Sequence, residues 1–348
     1  MSYGYEDFAE IARKLGFRID PPQANRWSGT HTIEGVLDGI WIRAHQWQGQ
    51  YVHVELSAYF DPPADLRLTI QPAGVVSKLG HFLGAHDIEV GDTSFDSAFD
   101  VKGDEPERVK ALLTPTVQRA LIAWKKAGVP FRVTDEQISY WTTPGTYSSF
   151  NQAELENELR ATAGLARVLS DALRSVPSSS ILAPHVEAWR AYAGARGLAF
   201  SASPLRVAGT LDGASIVARA TAVDDAAWGV DVRLRFAEPL PFLLRVRPKR
   251  IFDFLELSMA VHVEMNDEAF DRELRVTTAE PNAARAFLSG EVVAALLALH
   301  LEEGDVSLDS EGLAVRTKSM TDPALFGRIV DRVAIVTAKL HAHAGPYR

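Results

Sequence analysis

The sequence contains no cysteine among its 348 residues. Disulfide bonds, thiolate nucleophiles and cysteine-ligated zinc or iron–sulfur sites are therefore excluded. The absence fits a reducing cytoplasm, although a secreted protein can also lack cysteine. Any binding or catalytic chemistry must come from other residue types.

Long hydrophobic runs and recognisable catalytic motifs are also missing. No window approaches the roughly 18 consecutive apolar residues of a membrane-spanning helix, and the N-terminal segment is acidic where a signal peptide needs a basic region. The sequence contains no P-loop, dinucleotide fingerprint, nucleophile elbow or HExxH pattern. We therefore predict a cytoplasmic protein with no transmembrane segment, no cofactor and no metal.

The charge and composition narrow the class of protein further. A formal net charge of −9 argues against nucleic-acid binding, which usually leaves a basic surface. Hydrophobic residues make up 47% of the chain, so it can bury a substantial core. The high usage of Ala, Arg, Val and Leu is typical of a GC-rich bacterial source.

One stretch occurs twice, at residues 91–121 and 266–296. Its matching residues are separated by the same number of positions, and they are Phe95-Asp96 with Phe270-Asp271, Val101 with Val276, Pro106 with Pro281, Leu113 with Leu288 and Leu121 with Leu296. Self-similarity at a fixed offset indicates a tandem duplication. We therefore predict two domains, 1–174 and 183–348, joined by a linker at 175–182.

Each copy is predicted to be an α+β domain, an antiparallel β-meander with helices packed on one face. Asp38-Gly39 and Asp212-Gly213 each separate two strand-like runs, which predicts a hairpin because both turn residues tolerate positive φ. Residues 52–60 alternate between apolar and polar, as expected for a sheet with one buried and one solvated face.

A helix–corner–helix is predicted after the strand of the repeated stretch. Pro115 cannot lie inside a helix without removing a hydrogen bond, so Thr114 is predicted to cap a second helix, with Ser289 in its place in the other copy. Asp104 and Glu107 resemble a capping box. The recurring Phe-Asp pair is interpreted as structural, a buried Phe beside an Asp that satisfies either backbone N–H groups or a cross-strand cation.

The second copy has an arginine-rich segment that is predicted to project from adjacent strands onto the solvated face. Its candidate binding residues are Arg233, Arg235, Arg245, Arg247, Lys249 and Arg250. Clustered guanidinium groups recognise carboxylates or phosphates, so an anionic partner is one interpretation. The other is a cross-strand charge ladder, because Asp271 and Glu273 are expected on a neighbouring strand of the same face.

The first copy is aromatic instead. Trp47, Tyr51 and Tyr59 are candidates for a contact surface, either for a partner or between the domains. His53 and Glu55 fall on one face of the same strand, where they could act together as ligands or as an acid and a base. An ordinary solvated strand face is the alternative explanation for this pair.

The segment Phe95-Asp96-x-x-Phe99-x-Val101, followed by Leu112-Leu113-Thr114-Pro115, resembles an uncharacterised bacterial family of domains of unknown function. Members of that family carry a Phe-acidic-x-x-Phe-x-Val strand and then a Leu-Leu-Thr-Pro helix corner. The resemblance covers about thirty residues of the first copy and is looser in the second, where Leu274 replaces the second Phe. Known members often carry membrane helices, which are not predicted here. The resemblance implies a type of domain and no catalytic residue.

These patterns favour a non-enzymatic binding or assembly protein of the bacterial cytoplasm. It would contact a protein partner, or self-associate, through its two divergent sheet faces. The first alternative is a module that holds a lipid-like or other small anionic ligand between sheet and helices, in a cavity larger than about 300 Å³. The second is a hydrolase that uses His53 and Glu55 with a nearby Asp.

Overall fold

A computed structural model describes residues 5–19, 31–48, 52–74, 88–128, 130–141, 152–223, 227–240, 242–249, 261–320 and 322–344. The chain divides into two compact units, Met1–Ser179 and Ser180–Arg348. This division falls within the predicted linker. Each unit has its own sheet, helices and hydrophobic core.

The described part of the first unit contains five helices and eight strands. In chain order they are α1 (Tyr5–Leu15), β1 (Arg18–Ile19), β2 (His31–Leu37), β3 (Ile40–Gln48), β4 (Val52–Tyr59), β5 (Thr69–Pro72), α2 (Thr93–Asp96), β6 (Phe99–Lys102), α3 (Pro106–Leu112), α4 (Pro115–Lys126), β7 (Phe131–Thr134), β8 (Gln137–Trp141) and α5 (Gln152–Leu173).

The described part of the second unit contains five helices and nine strands. In chain order they are α6 (Ala183–Arg196), β9 (Ala199–Ala202), β10 (Leu205–Leu211), β11 (Ala214–Ala222), β12 (Trp228–Arg235), β13 (Leu244–Pro248), β14 (Val261–Val263), α7 (Glu268–Glu273), β15 (Leu274–Thr278), α8 (Pro281–Phe287), α9 (Gly290–Glu303), β16 (Asp305–Asp309), β17 (Gly312–Arg316) and α10 (Leu325–Ala344).

The predicted α+β class is confirmed, with an antiparallel sheet in each unit. The strand order is β1-β2-β3-β4-β8-β7-β5-β6 in the first unit. In the second it is β9-β10-β11-β12-β17-β16-β13-β15-β14, the same order with one added edge strand among the described residues. Only the first four strands of each unit form a simple meander. The hairpin that follows the helix corner, β7–β8 or β16–β17, then inserts between the fourth and fifth strands.

Both predicted Asp-Gly hairpins form where the sequence indicates. Asp38 and Gly39 have φ of 52° and 82°, and Asp212 and Gly213 have φ of 51° and 84°. Positive φ at both turn residues matches the twist of the flanking strands. Each turn fixes the register of its hairpin, so that alternate residues of these strands point consistently to the helix side or to the outer side.

The helices pack on one face of each sheet. In α5 and α10 residues at helical spacing form a buried stripe: Leu155, Leu159, Thr162, Ala166 and Leu169, and Phe326, Val330, Val333, Thr337 and Leu340. The inward residues Val54, Leu56 and Ala58 of β4 and Val230, Val232 and Leu234 of β12 belong to the cores of their units. The other face of each sheet is left for polar side chains.

The helix corner recurs with the same backbone geometry. Leu113 has φ −79° and ψ 55°, and Leu288 has φ −81° and ψ 56°. The Thr114 hydroxyl accepts from the Val117 N–H, as predicted for an N-cap. Ser289 occupies the N-cap position of α9 but makes no capping bond, because its hydroxyl lies 3.2 Å from Nδ1 of His343.

The predicted capping box at Asp104 and Glu107 is wrong. The N-cap of α3 is Glu105, whose side chain makes no capping bond, and Pro106 is the first helical residue. Asp104 forms an ion pair with Nε of Arg67 at 3.3 Å instead. A proline at the first helical position removes one of the orphan donors, which lessens the need for a side-chain cap.

The recurring Asp organises the turn before α2 and α7. The Asp96 carboxylate accepts from the backbone N–H groups of Val90 and Gly91, at 2.9 and 3.0 Å. The Asp271 carboxylate accepts from the N–H of Met265 at 2.9 and 3.1 Å. The structural interpretation of the Phe-Asp pair therefore accounts for both copies.

Among the described residues, no single helix has the length and apolarity needed to cross a membrane. Helices α8 and α9 reach that threshold only when taken together, and the chain bends by 78° between them.

Candidate functional site

The outer face of the second unit's sheet, opposite its helices, contains a cavity of about 500 Å³. Strands β16 and β17 form the floor, and β12 and β13 lie on either side of them in the sheet. We call this cavity the β16–β17 cleft. The outward-facing residues that line it are Asp231, Arg233, Arg235, Arg247, Asp305, Ser307, Asp309, Gly312, Ala314 and Arg316.

The cleft is concave because its floor has small side chains. Ala314 on β17 is the Cα partner of Arg233 on one side and of Ser307 on the other. At Gly312 a Cβ atom would lie 2.2 Å from the carbonyl oxygen of Leu234, so a larger residue would force the backbone to shift. Small residues in the middle and long ones on the flanking strands produce a depression without any break in the sheet.

Arginines form both walls of the cleft. Arg233 and Arg235 point outward from β12 because the alternate residues, Val232 and Leu234, are buried in the core. Arg247 points outward from β13 in the same way and is half-buried. Within the described part of the chain, the guanidinium group of Arg235 makes no ion pair.

A buried carboxylate at one end of the cleft holds three guanidinium groups. Asp231, whose side chain is 3% exposed, lies 3.0 Å from Arg233, 3.1 Å from Arg219 and 3.5 Å from Arg316. Burial by itself would raise the pKa of Asp231, but these guanidinium groups, led by that of Arg233, outweigh burial and hold the pKa below its ordinary value. Asp231 therefore stays ionised and orients two arginines of the cleft.

The remaining acidic groups of the cleft differ in how they are compensated. Asp309 accepts hydrogen bonds from the backbone N–H groups of Glu311 and Gly312, at 2.8 and 2.9 Å. Asp305 is the Cα partner of Arg316 but makes no ion pair with any residue that the structure describes. The cleft thus presents arginines at its centre and a carboxylate at the end near Arg316.

Three of the predicted binding residues, Arg233, Arg235 and Arg247, meet in this cleft. Arg245 is exposed on β13 opposite Asp309 and is not part of the lining. The expectation that these residues come from adjacent strands is wrong, because β16 and β17 lie between β12 and β13.

The remaining two predicted basic residues do not contribute to the lining that the structure describes. Lys249 is exposed just after β13, where its Nζ donates to the backbone carbonyl of Asp271. Arg250 lies outside the described residues.

The prediction that the acids of the charge ladder lie on a neighbouring strand is also wrong. Asp271 and Glu273 belong to helix α7 and not to a strand. Cross-strand ion pairs do occur on this face, where Asp231 pairs with Arg219 and Arg316, and Asp309 is the Cα partner of Arg245. The ladder interpretation therefore describes a part of this surface, with other acids than those predicted.

Sequence reasoning missed several cleft residues, namely Asp305, Ser307, Gly312 and Arg316. The alternating pattern of β16 and β17 would place their side chains on the outer face. Alternation does not predict which strands lie beside β16 and β17. It is the position of these strands between β12 and β13 that puts the arginines around one cleft.

Of the predicted aromatic surface, only the Tyr59 side chain is described. Tyr59 is half-buried on β4, and its Cα partners are Trp41 and Gln137. Trp41 and its cross-strand partner Val36 are 43% and 58% exposed, so an apolar patch does lie on this face.

The other two aromatic candidates cannot be placed in that patch. The backbone of Trp47 belongs to β3 but its side chain is outside the described residues, as is all of Tyr51.

His53 and Glu55 point outward from β4, as predicted. The Cα partner of His53 is Trp47, and those of Glu55 are His45 and Trp141. Nδ1 of His45 lies 2.9 Å from the Thr32 hydroxyl. The described residues contain no group of three or more His, Asp or Glu side chains that could hold a metal ion.

The first unit lacks the arginines at the positions equivalent to those of the cleft. Tyr59 pairs with Gln137 as Arg235 pairs with Gly312, and Ser57 pairs with Ser139 as Arg233 pairs with Ala314. Gln71, which pairs with Asp100, takes the place of Arg247, which pairs with Arg275. Because the same sheet forms without them, the fold does not require these arginines.

No family model and no curated protein matches the chain. One solved structure, the crystal structure of the mycobacterial trehalose monomycolate transport factor A, is similar with 11% sequence identity and a TM-score of 0.31. The match covers 49% of this chain and 95% of that chain. A likeness of this size carries no argument about function.

Proposed function

We propose that the protein is a non-enzymatic binding protein whose β16–β17 cleft receives a carboxylate or phosphate group of its partner. The observation that carries the proposal is that Arg235 on β12 and Arg247 on β13 line the same cleft from opposite sides of its floor of small residues. A guanidinium group binds either anion through charged, often bidentate hydrogen bonds. The size of the cleft lies in the range of small-ligand sites, about 300–1,000 Å³.

The difference between the two units supports a role in binding. Features that recur, such as the Asp-Gly hairpins and the helix corner, are those that the fold needs. The arginines occur in one unit only, where Tyr59 and Gln71 stand in the other. Residues that the fold does not require are the ones that can serve a function specific to this unit.

The position and lining of the cleft suit a polar ligand better than a lipid-like one. The alternative from the sequence is a lipid-like or other small anionic ligand held between sheet and helices. The β16–β17 cleft lies on the opposite face, and most of its outward-facing side chains are charged. We therefore propose a ligand that has the anionic group of that alternative but no lipid-like chain.

The proposal is tested by titrating the isotopically labelled protein with inorganic phosphate and with succinate, the simplest anions of the two kinds. The Nε–Hε NMR signals of Arg235 and Arg247 should shift with increasing anion. Arg235→Ala combined with Arg247→Ala should weaken binding about 10–100-fold, since a hydrogen bond to a charged group contributes about 1.5–3 kcal/mol.

The matched control is Arg272→Ala combined with Arg245→Ala, which removes the same charge outside the cleft. Arg272 is exposed on α7 and pairs only with its neighbour Glu273 among the described residues. This control should bind both anions as the unaltered protein does. Equal weakening by the two double variants would mean that net charge, and not the cleft, accounts for binding, and the proposal would then be wrong.

A further inference from the structure

The charges that line the β16–β17 cleft balance, and this distinguishes it from a simple anion site. The lining has four arginines, and its four acidic side chains are Asp231, Asp305, Asp309 and Glu311. A bare anion would therefore be attracted by the arginines and repelled by any acid whose charge is not already compensated. The position of any uncompensated acid therefore determines what kind of ligand fits the cleft.

Two of the acids are compensated within the protein. Asp231 is surrounded by three guanidinium groups, and Asp309 accepts two backbone hydrogen bonds. Asp305 is half-buried and makes no ion pair with any described residue. Its carboxylate is therefore an acidic group of the lining that can meet a positive charge on a ligand.

We infer that the cleft binds a small zwitterion, with its phosphate or carboxylate between Arg235 and Arg247 and its ammonium group at Asp305. This inference rests on the proposed function and names the ligand class for the same site. Asp305 lies two residues before Ser307 on β16, a separation of about 7 Å along the strand. Ligands whose two charges are separated by a few covalent bonds match that spacing.

The anionic end of the ligand meets donors from three strands. The guanidinium of Arg235 comes from β12 and that of Arg247 from β13, and Ser307 on β16 belongs to the floor of the cleft. Arg233, which is held by Asp231 at 3.0 Å, also lines the cleft. The cationic end meets Asp305, and no bond is made or broken in the ligand.

The experiment compares three probes by isothermal titration calorimetry and by NMR: O-phosphoethanolamine, inorganic phosphate and ethanolamine. O-Phosphoethanolamine should bind about tenfold more tightly than phosphate, because it adds a charged hydrogen bond to Asp305. Ethanolamine alone should bind most weakly. Vesicles with and without phosphatidylethanolamine then distinguish a lipid headgroup from a dissolved ligand as the source of the zwitterion.

The deciding variant is Asp305→Asn. It should abolish the preference for O-phosphoethanolamine while phosphate binds at least as tightly as before, because a repelling charge is removed. Glu268→Gln, which neutralises an exposed acid on α7 outside the cleft, should change neither affinity. Circular dichroism of both variants establishes that they fold.

The outcomes separate this inference from the proposed function. If phosphate and O-phosphoethanolamine bind equally, or if Asp305→Asn retains the preference, the inference of a zwitterionic ligand is wrong. The proposal that the cleft binds an anion is then unaffected. If neither probe shifts the cleft signals at millimolar concentration, both the inference and the proposed function fail.

Discussion

Replacing Arg108 with methionine should destabilise the protein by about 3–5 kcal/mol, because the replacement removes the guanidinium group that pairs with a buried carboxylate. The Arg108 and Asp65 side chains are 5% and 4% exposed, and Nη2 of Arg108 donates to Oδ1 of Asp65 at 2.5 Å. Arg108 is also the donor to the backbone carbonyls of Asp65 and Pro177, at 2.9 and 2.7 Å. The guanidinium therefore ties helix α3 to the chain after α5 and to the loop after β4.

The contributions of the charge and of the backbone contacts can be separated with a double-mutant cycle. Asp65→Leu in the Arg108→Met background removes the buried charge that has lost its guanidinium, so the double variant should lose less stability than Arg108→Met alone. Two carbonyl oxygens remain without their donor, and each costs about 1–3 kcal/mol. Arg108→Lys keeps the charge but lacks the fork of donors, and its loss should be intermediate.

The assay is urea unfolding followed by far-ultraviolet circular dichroism, with free energies from linear extrapolation. Arg174→Met is the control, because Arg174 is 78% exposed and pairs only with Asp171 among the described residues. It should change the free energy of unfolding by no more than about 0.5 kcal/mol. A loss below about 1 kcal/mol for Arg108→Met, or strict additivity in the cycle, would refute the reasoning.

Three further predictions concern ionisation and packing. Ionised Asp231 contributes stability that is present above about pH 4 and is lost as the pH falls through the depressed pKa of the folded state. Asp231→Asn should therefore reduce the loss of unfolding free energy at acid pH, measured by urea unfolding. Burial raises the pKa of Asp135 to about 6 even though three backbone N–H groups, those of residues 66–68, favour the charged form. Carboxyl-carbon NMR should therefore give a midpoint near 6 for Asp135. Stability should fall as the pH rises from about 4 to 6, because the folded state holds a proton that the unfolded state has lost, and Asp135→Asn should remove that slope. Gly312→Ala should cost about 1–3 kcal/mol through the clash with Leu234, whereas Gly164→Ala, in open space on α5, should raise the melting temperature by stabilising the helix by about 0.5–1 kcal/mol.

Features set by local chemistry could be read from the sequence. The Asp38-Gly39 hairpin depends only on which residues tolerate positive φ, and the Thr114 cap depends on one hydroxyl and the next turn of helix. The buried stripes of α5 and α10 follow from helical periodicity. In each case the determining interactions lie within a few residues along the chain.

The capping box at Asp104 shows where local reasoning failed. The Asp104 carboxylate could either cap helix α3 or pair with Arg67, which is distant in sequence. In the structure it pairs with Arg67. Ser289 likewise bonds to His343 and not to its own helix. Polar side chains take whichever partner the tertiary structure brings closest, and the sequence does not state that distance.

The sequence by itself determined that the chain has two α+β units, that Arg233, Arg235 and Arg247 face away from the core, and that most recurring residues are structural. Only the tertiary structure decided that the hairpin β16–β17 inserts between β12 and β13. That insertion separates the arginines into two walls, places Ser307 between them and brings Asp305 to one end. The physical reason is that strand alternation fixes the face on which a side chain lies, while pairing between distant strands fixes its neighbours.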